Sequence, residues 1–321
     1  MCKPKISFLW QTPSQRGDEM ISLEILGEAI RSTIIKAASE LPSDVAHAFE
    51  KAIENEKSQL AAESLISTFE SCKQAREKGG LLCPDTGWPL FFIKIGTNAK
   101  IEGGLLELER VAKEKVKECT QKGYLRPTMV HPITRIGKGD NIGDHIPHFT
   151  YKFFPGESLE ITFVPKGGGS ELFGGTRYRV LAPSDIPAGI KKFVIDAYIQ
   201  AASAGKICPP SIVGVGIGGT SDICMNLAKE AAVLRPIGSH NRDEEIAKLE
   251  IELKRAINEL GIGPMGIGGS TSVFSVHIEY AYVHTAGLPV AINANCAIAR
   301  RATVRIRESE FEFLDDPNWF G

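Results

Sequence analysis

Cys208-Pro209-Pro210-Ser211-Ile212-Val213-Gly214-Val215-Gly216-Ile217-Gly218-Gly219-Thr220-Ser221-Asp222 is the stretch on which the fold turns. Ser211 to Ile217 reads as a short buried strand. It is apolar and β-branched, bounded by prolines on one side and glycines on the other, and too short for a helix. Ser221 and Asp222 then open a helix. A strand handed to a helix through a Gly-rich junction is α/β construction. Gly214 to Gly219 also satisfies G-x-G-x-x-G, a loose signature for dinucleotide phosphates. No ribose-binding carboxylate follows at the end of a next strand, so the preferred reading is a close-packed strand–helix turn.

Working outward, residues 18–80 carry apolar side chains at helical spacing, from Ile21 through Ile34, Ile35 and Ala38. Pro42-Ser43-Asp44 marks a break and a new N-cap. A later helix through Leu65, Ile66 and Phe69 ends at Gly79-Gly80. This defines a helical N-terminal module, 1–80, ahead of an α/β domain, 81–321, the two forming separate units or one continuous body. In the second part Phe91 to Ile95 reads as a strand and 104–122 as a charged amphipathic helix. His148 to Phe154 and Leu159 to Val164 read as a strand pair joined by Pro155-Gly156. Lys166-Gly167-Gly168-Gly169-Ser170 reads as a Gly-rich loop. Ser184 and Asp185 cap a helix to about Ala204, and 241–260 is a charged helix. Val273 to Tyr282, Leu288 to Asn293 and Thr303 to Ile306 read as strands.

Bulk composition removes several function classes. A net charge of −2 lacks the basic excess of a nucleic-acid binder. No apolar run reaches bilayer-spanning length, and Ile6 to Trp10 is too short for a signal-peptide core. Seven cysteines in 321 residues are odd in number and unlike a disulfide framework. A cytoplasmic protein with free or ligating thiols is the expectation.

Three of the cysteines sit in loops beside strands, where functional groups tend to be displayed. Cys83 lies in Leu82-Cys83-Pro84-Asp85-Thr86-Gly87, Cys208 in Ile207-Cys208-Pro209-Pro210, and Cys296 in Asn293-Ala294-Asn295-Cys296. Their spacing matches no zinc signature. Cys72, Cys119, Cys224 and Cys2 read as structural or incidental. Taken alone, Asp85 fits turn chemistry as well as acid/base chemistry, and His284 fits a core histidine. His277, alternating with apolar neighbours, reads as structural. His131, His145 and His148 read as loop residues.

These motifs resemble the class I fumarases and two-subunit L-tartrate dehydratases, a family of iron–sulfur hydro-lyases. The similar stretches are Cys83 to Gly87, Lys166 to Ser170, Cys208-Pro209-Pro210 leading into Gly216 to Thr220, His277-Ile278-Glu279, and His284 through Leu288-Pro289-Val290 to Cys296. They occur in the family's order and span about residue 20 to residue 310.

The resemblance implies a 4Fe-4S cluster held by Cys83, Cys208 and Cys296, within an α/β domain of the iron–sulfur fumarase alpha type. Three protein ligands leave one iron open as a Lewis acid. The implied reaction is reversible hydration or dehydration of a small C4 dicarboxylate, fumarate/malate or tartrate. Asp85 is then an acid/base or orients one, and His284 matches a pocket histidine. Arg126 matches an arginine gripping a substrate carboxylate. The backbone N–H groups of Gly167, Gly168 and Gly169 cradle the other carboxylate. Arg300-Arg301 either offset cluster charge or face solvent. Pro84 stands where the family usually has Gln, a departure that bears on the substrate. Single-chain relatives continue for another domain beyond the point matching Gly321. The expectation is therefore an alpha subunit, inactive without a beta subunit, in a dimer of heterodimers. Two other classes remain open on sequence: a nucleotide-binding oxidoreductase built on Gly214 to Gly219, and a non-catalytic scaffold.

Overall fold

A computed structural model describes residues 20–172 and 174–320. Cys2 and the Ile6–Trp10 stretch lie outside the described residues. Three helices come first: α1 (Leu23–Ser39), α2 (Ser43–Asn55) and α3 (Gln59–Glu77). Two mixed sheets and five further helices follow, so the α/β reading with leading helices is borne out.

The first sheet holds five strands: β1 (Trp88–Gly96), β2 (His148–Phe154), β3 (Leu159–Lys166), β8 (Ala302–Arg307) and β9 (Glu310–Leu314), ordered β2-β1-β3-β8-β9. The second holds β4 (Thr176–Leu181), β5 (Ser211–Ile217), β6 (Val273–Tyr280) and β7 (Leu288–Asn295), ordered β4-β7-β5-β6. β5 runs parallel to β6 and antiparallel to β7.

Helices α4 (Leu105–Gln121) and α1 cover one face of the first sheet, with Leu26, Ile30, Val111 and Val116 packed on Phe91, Ile93, Ile161 and Phe163. The alternate residues Leu90, Phe92 and Val164 point the other way, onto Ala232 to Leu234 of α7 (Ser221–Leu234). β1 is thus apolar on both faces and reads as a continuous run rather than an alternation. On its other side α7 lies against β5 and β7. Helices α6 (Ala188–Ser203) and α8 (Glu244–Glu259) cover the opposite face of the second sheet. α7 is therefore the shared layer between the sheets.

The G-x-G-x-x-G glycines explain how α7 sits so close. A Cβ on Gly214 would lie 2.1 Å from the Ala228 carbonyl oxygen, and one on Gly216 would lie 2.0 Å from that of Cys224. Both glycines are used to seat helix on strand, as the close-packing reading expects.

Three local expectations need correction. First, β2 and β3 are not neighbours: β1 lies between them, parallel to β2 and antiparallel to β3. The Pro155–Ser158 connector arches over the end of β1 and bonds to it, through Gly96 N–H to the Ser158 carbonyl (2.9 Å) and Asn98 N–H to the Gly156 carbonyl (2.9 Å). Second, Gly168–Leu172 is a short helical turn, α5, rather than a loop. Third, α6 begins at Ala188, after Pro187, because the residue before a proline is pushed out of the helical region and Ile186 is extended. The new N-cap does fall in Pro42-Ser43-Asp44: Pro42 holds the cap position, and the Asp44 carboxylate turns to the Ile237 N–H (2.8 Å) and to Arg301 (2.7 Å).

Candidate active site at the seam of the two sheets

The strand ends decide where the chemistry-bearing loops meet. Trp88 at the start of β1 pairs with Lys166 at the end of β3. This sets the Cys83–Gly87 loop beside the Gly167–Gly169 turn. Ile212 near the start of β5 pairs with Asn295 at the end of β7, which sets Cys208 beside Cys296. The segment 296–301 then crosses from β7 to β8 and joins the two sheets. All of these ends fall at one seam.

At this seam the Cys208 and Cys296 side chains lie close enough to interact, and the Ala297 N–H donates to the Cys208 carbonyl at 2.8 Å. Cys83 and Asp85 lie within electrostatic reach of Cys208. Cys296 is the thiol of the pair held low. The interaction with the Cys208 side chain is the main cause, and the Cys208 backbone N–H and the cations of Lys166 and Arg300 assist it against the effect of burial. Cys208 is correspondingly raised, first by that same interaction and then by burial. The other cysteines behave differently. Cys72, Cys119 and Cys224 are buried in apolar surroundings, and desolvation pushes their thiols up to about 11, 12 and 11.

Asp85 is fixed from both sides. Its Oδ2 accepts from the Gly168 N–H at 2.7 Å, and its backbone carbonyl accepts from Arg300 Nη2 at 2.6 Å. Gly87 makes this approach possible. Its φ is +63°, and a Cβ there would lie 1.8 Å from the Lys166 carbonyl oxygen. Arg126 leans over the same loop, donating from Nη1 to the Pro84 carbonyl at 3.1 Å while its N–H reaches Thr86 Oγ1 at 2.9 Å. Asn141 holds the Arg126 carbonyl at 2.8 Å.

Sequence reasoning missed Lys166 as a side chain. It is 1% exposed and crosses the seam, donating to Ser170 Oγ (2.7 Å) and the Ala294 carbonyl (2.9 Å), with Glu171 at 3.5 Å. Burial lowers its ammonium to about 8, against the opposing pull of Glu171 and Cys296. Glu171 is itself paired to Lys229 at 2.7 Å. The signal was a lysine closing the strand directly before the glycines.

His284 is not brought to the thiols. It is exposed in the loop between β6 and β7, its Nδ1 accepting from the Ala286 N–H at 3.1 Å. That loop adjoins the far end of β5, where Ala281 N–H bonds the Ile217 carbonyl. A seven-residue strand separates it from Cys208, roughly 20 Å at the usual rise per residue. His277 is fully buried, with its ring on Ser275 Oγ (2.9 Å) and the Ala231 carbonyl (3.2 Å), and burial lowers it to about 3. It is a core residue. His131 bonds within its own loop, its Nδ1 accepting from the Ile133 and Thr134 N–H groups.

Among the described residues no three His, Cys, Asp or Glu side chains close on a point as a single metal ion requires. None of the helices there is long and apolar enough to cross a membrane.

The profile of the fumarate hydratase (fumerase) family matches residues 27–305. The chain belongs to the fumarate hydratase family. It is 44% identical over 274 residues to a putative L(+)-tartrate dehydratase subunit alpha of Methanocaldococcus jannaschii, covering 85% of this chain and 94% of that protein. It is 34% identical over 282 residues to the L(+)-tartrate dehydratase subunit alpha of Escherichia coli strain UTI89, covering 88% and 90%. The E. coli K12 protein of the same name is 33% identical over the same span. As a family member the chain is a hydro-lyase of the fumarate hydratase and tartrate dehydratase type.

Proposed function

We propose that this chain is the alpha subunit of a hydro-lyase acting on a small C4 dicarboxylate, fumarate/malate or tartrate, and that Cys83, Cys208 and Cys296 hold a 4Fe-4S cluster. The supporting observation is the meeting of three thiols, from three separate loops, beside Asp85 and a buried guanidinium. The donor set fits such a group. A cluster spreads its thiolate ligands over separate irons, so the sulfurs need not converge on one point. Arg300 Nη1 is buried without a partner, which leaves a donor free for an anionic occupant.

When bound, a cluster with one iron free of protein ligands supplies a Lewis acid for the substrate hydroxyl. The chain's own residues do the rest. Asp85, held by Gly168 and Arg300, is placed to take or return a proton, or to orient the group that does. Arg126 offers a planar donor pair to one substrate carboxylate. The Gly167 to Gly169 backbone borders the other, with the Gly168 N–H shared with Asp85. His284 stands at the opposite end of the second sheet, so it reaches a substrate at the thiols only from a second copy of this chain. That fits the expected dimer of heterodimers.

The curated relatives are named alpha subunits, which supports a second, beta chain completing the site. Free thiols, with six cysteines unpaired among the described residues, are consistent with a cytoplasmic setting. Anaerobic iron and sulfide assays on the wild type and on Cys83→Ser, Cys208→Ser and Cys296→Ser test the cluster. Full content in all three variants sinks it. Co-expression with a beta-type chain and assay with fumarate, malate and the tartrate isomers tests the substrate class, and turnover of none rejects it.

A further inference from the structure

Among the described residues three arginines are buried, and one of them makes no ion pair with a carboxylate. Arg235, 5% exposed, pairs with Glu250 (2.9 Å) and Glu279 (3.0 Å). Arg301, also 5% exposed, pairs with Asp44 (2.7 Å). Arg300 is 6% exposed, and among the described residues its one hydrogen bond is from Nη2 to a neutral acceptor, the Asp85 carbonyl (2.6 Å). Its Nη1 is buried with no partner. The charges nearest to it in effect are Cys83, Cys296 and Asp85.

A buried guanidinium without a counter-charge costs several kcal/mol unless something anionic completes it. The protein does not discharge the group, since an arginine stays protonated. The neighbouring cation Lys166 has Glu171 at 3.5 Å, a carboxylate it shares with Lys229. Arg300 has no ion-paired carboxylate among the described residues, and it borders the thiols.

Resting on the cluster reading above, we propose that Arg300 is a positioning residue for the bound cluster. It donates from Nη1 to a cysteine or cluster sulfur and supplies the charge that a thiolate-ligated cluster, net negative, requires. Through Nη2 it ties that charge to the backbone of Asp85, so the cluster and the Asp85 carboxylate keep one relative position. Arg301, pointing the opposite way onto Asp44, anchors the segment against α2. Outer-shell donors of this kind change metal retention by about 10–100-fold.

The test uses the full chain, loaded anaerobically, as wild type, Arg300→Met and Arg300→Lys. Iron and sulfide per chain, the half-life of cluster absorbance on exposure to air, and the midpoint potential are measured. In Arg300→Met the half-life shortens by about tenfold or more and the potential moves negative, while the cluster-free protein melts no lower than wild type because an unmatched charge has been removed. Arg300→Lys restores the charge without the fork and falls between. Wild-type half-life and potential in Arg300→Met overturn the inference and leave the cluster reading standing. Should Arg300→Met fail to fold, Arg300→Lys decides: an intermediate half-life supports the role and a wild-type one overturns it. A wild-type chain that takes up no iron and sulfide overturns both.

Discussion

Gly168 donates its backbone N–H to Asp85 Oδ2 at 2.7 Å, across 83 positions of chain. This one bond joins the loop that carries Cys83 to the glycine turn at the end of β3, and so places a carboxylate where two sheets meet.

Asp85→Asn keeps an oxygen for Gly168 but loses the proton-transfer group. With the beta-type partner present, kcat should fall about 10²–10⁴-fold, the range for loss of a general acid or base. Far-UV circular dichroism and cluster content should be unchanged. Steady-state kinetics within threefold of wild type would remove Asp85 from the chemistry.

His284 and Asp85 belong to different copies if the proposed assembly is right. His284→Ala and Asp85→Asn should each be inactive alone. Mixed by co-expression, they should regain about a quarter of wild-type activity, since half of randomly paired dimers carry one intact site. No recovery on mixing would place both residues in one protomer's site or outside catalysis.

Lys166 gives a pH signature. Its folded value of about 8 lies below its ordinary 10.5 because burial disfavours the ammonium. Below about pH 8 the lysine is charged in both states and the burial penalty is fully present. Between 8 and 10.5 the unfolded chain holds the proton and the folded one has released it, so stability rises with pH. Relative to Lys166→Met, the wild type should gain stability across that window, by an amount of order 3 kcal/mol at most. Urea denaturation of both proteins at pH 7.5, 9 and 10 measures it; parallel curves would contradict the shift.

Gly216→Ala tests the layer between the sheets. Its new methyl would lie 2.0 Å from the Cys224 carbonyl oxygen, a backbone atom that cannot step aside. A loss of at least about 3 kcal/mol is expected, at the upper end for overpacking. Gly143→Ala, with open space around its Cβ, should stay within about 0.5 kcal/mol of wild type. Thermal melts of the two variants compare them directly, and equal midpoints would mean α7 is not seated as described.

Much of the architecture was legible because its signals are local. The run from Ile212 to Ile217 carries no polar side chain, and Ser221-Asp222 follows a glycine pair and Thr220, so strand, turn and helix could be read in place. α1, α3 and α4 announced themselves by helical periodicity and α8 by its run of charged residues. β4 and β9 were passed over: they are short, with charged residues interleaved, and they are strands because β7 and β8 offer them hydrogen-bond partners. The pairing of β2 with β3 was misread for the same kind of reason. A short connector normally means neighbours, and nothing within residues 148–166 says that β1 inserts between them.

The sequence by itself determined the alternation of elements, the three loop cysteines and their resemblance to one enzyme family, because each is written in contiguous residues. Only the tertiary structure decided which loops share a seam, that His284 lies at the other end of the sheet, and that Arg300 is buried with no ion-paired carboxylate among the described residues. Those facts depend on strand order and on the direction each strand runs. Both are set by packing between segments more than sixty residues apart, where no local pattern carries the information.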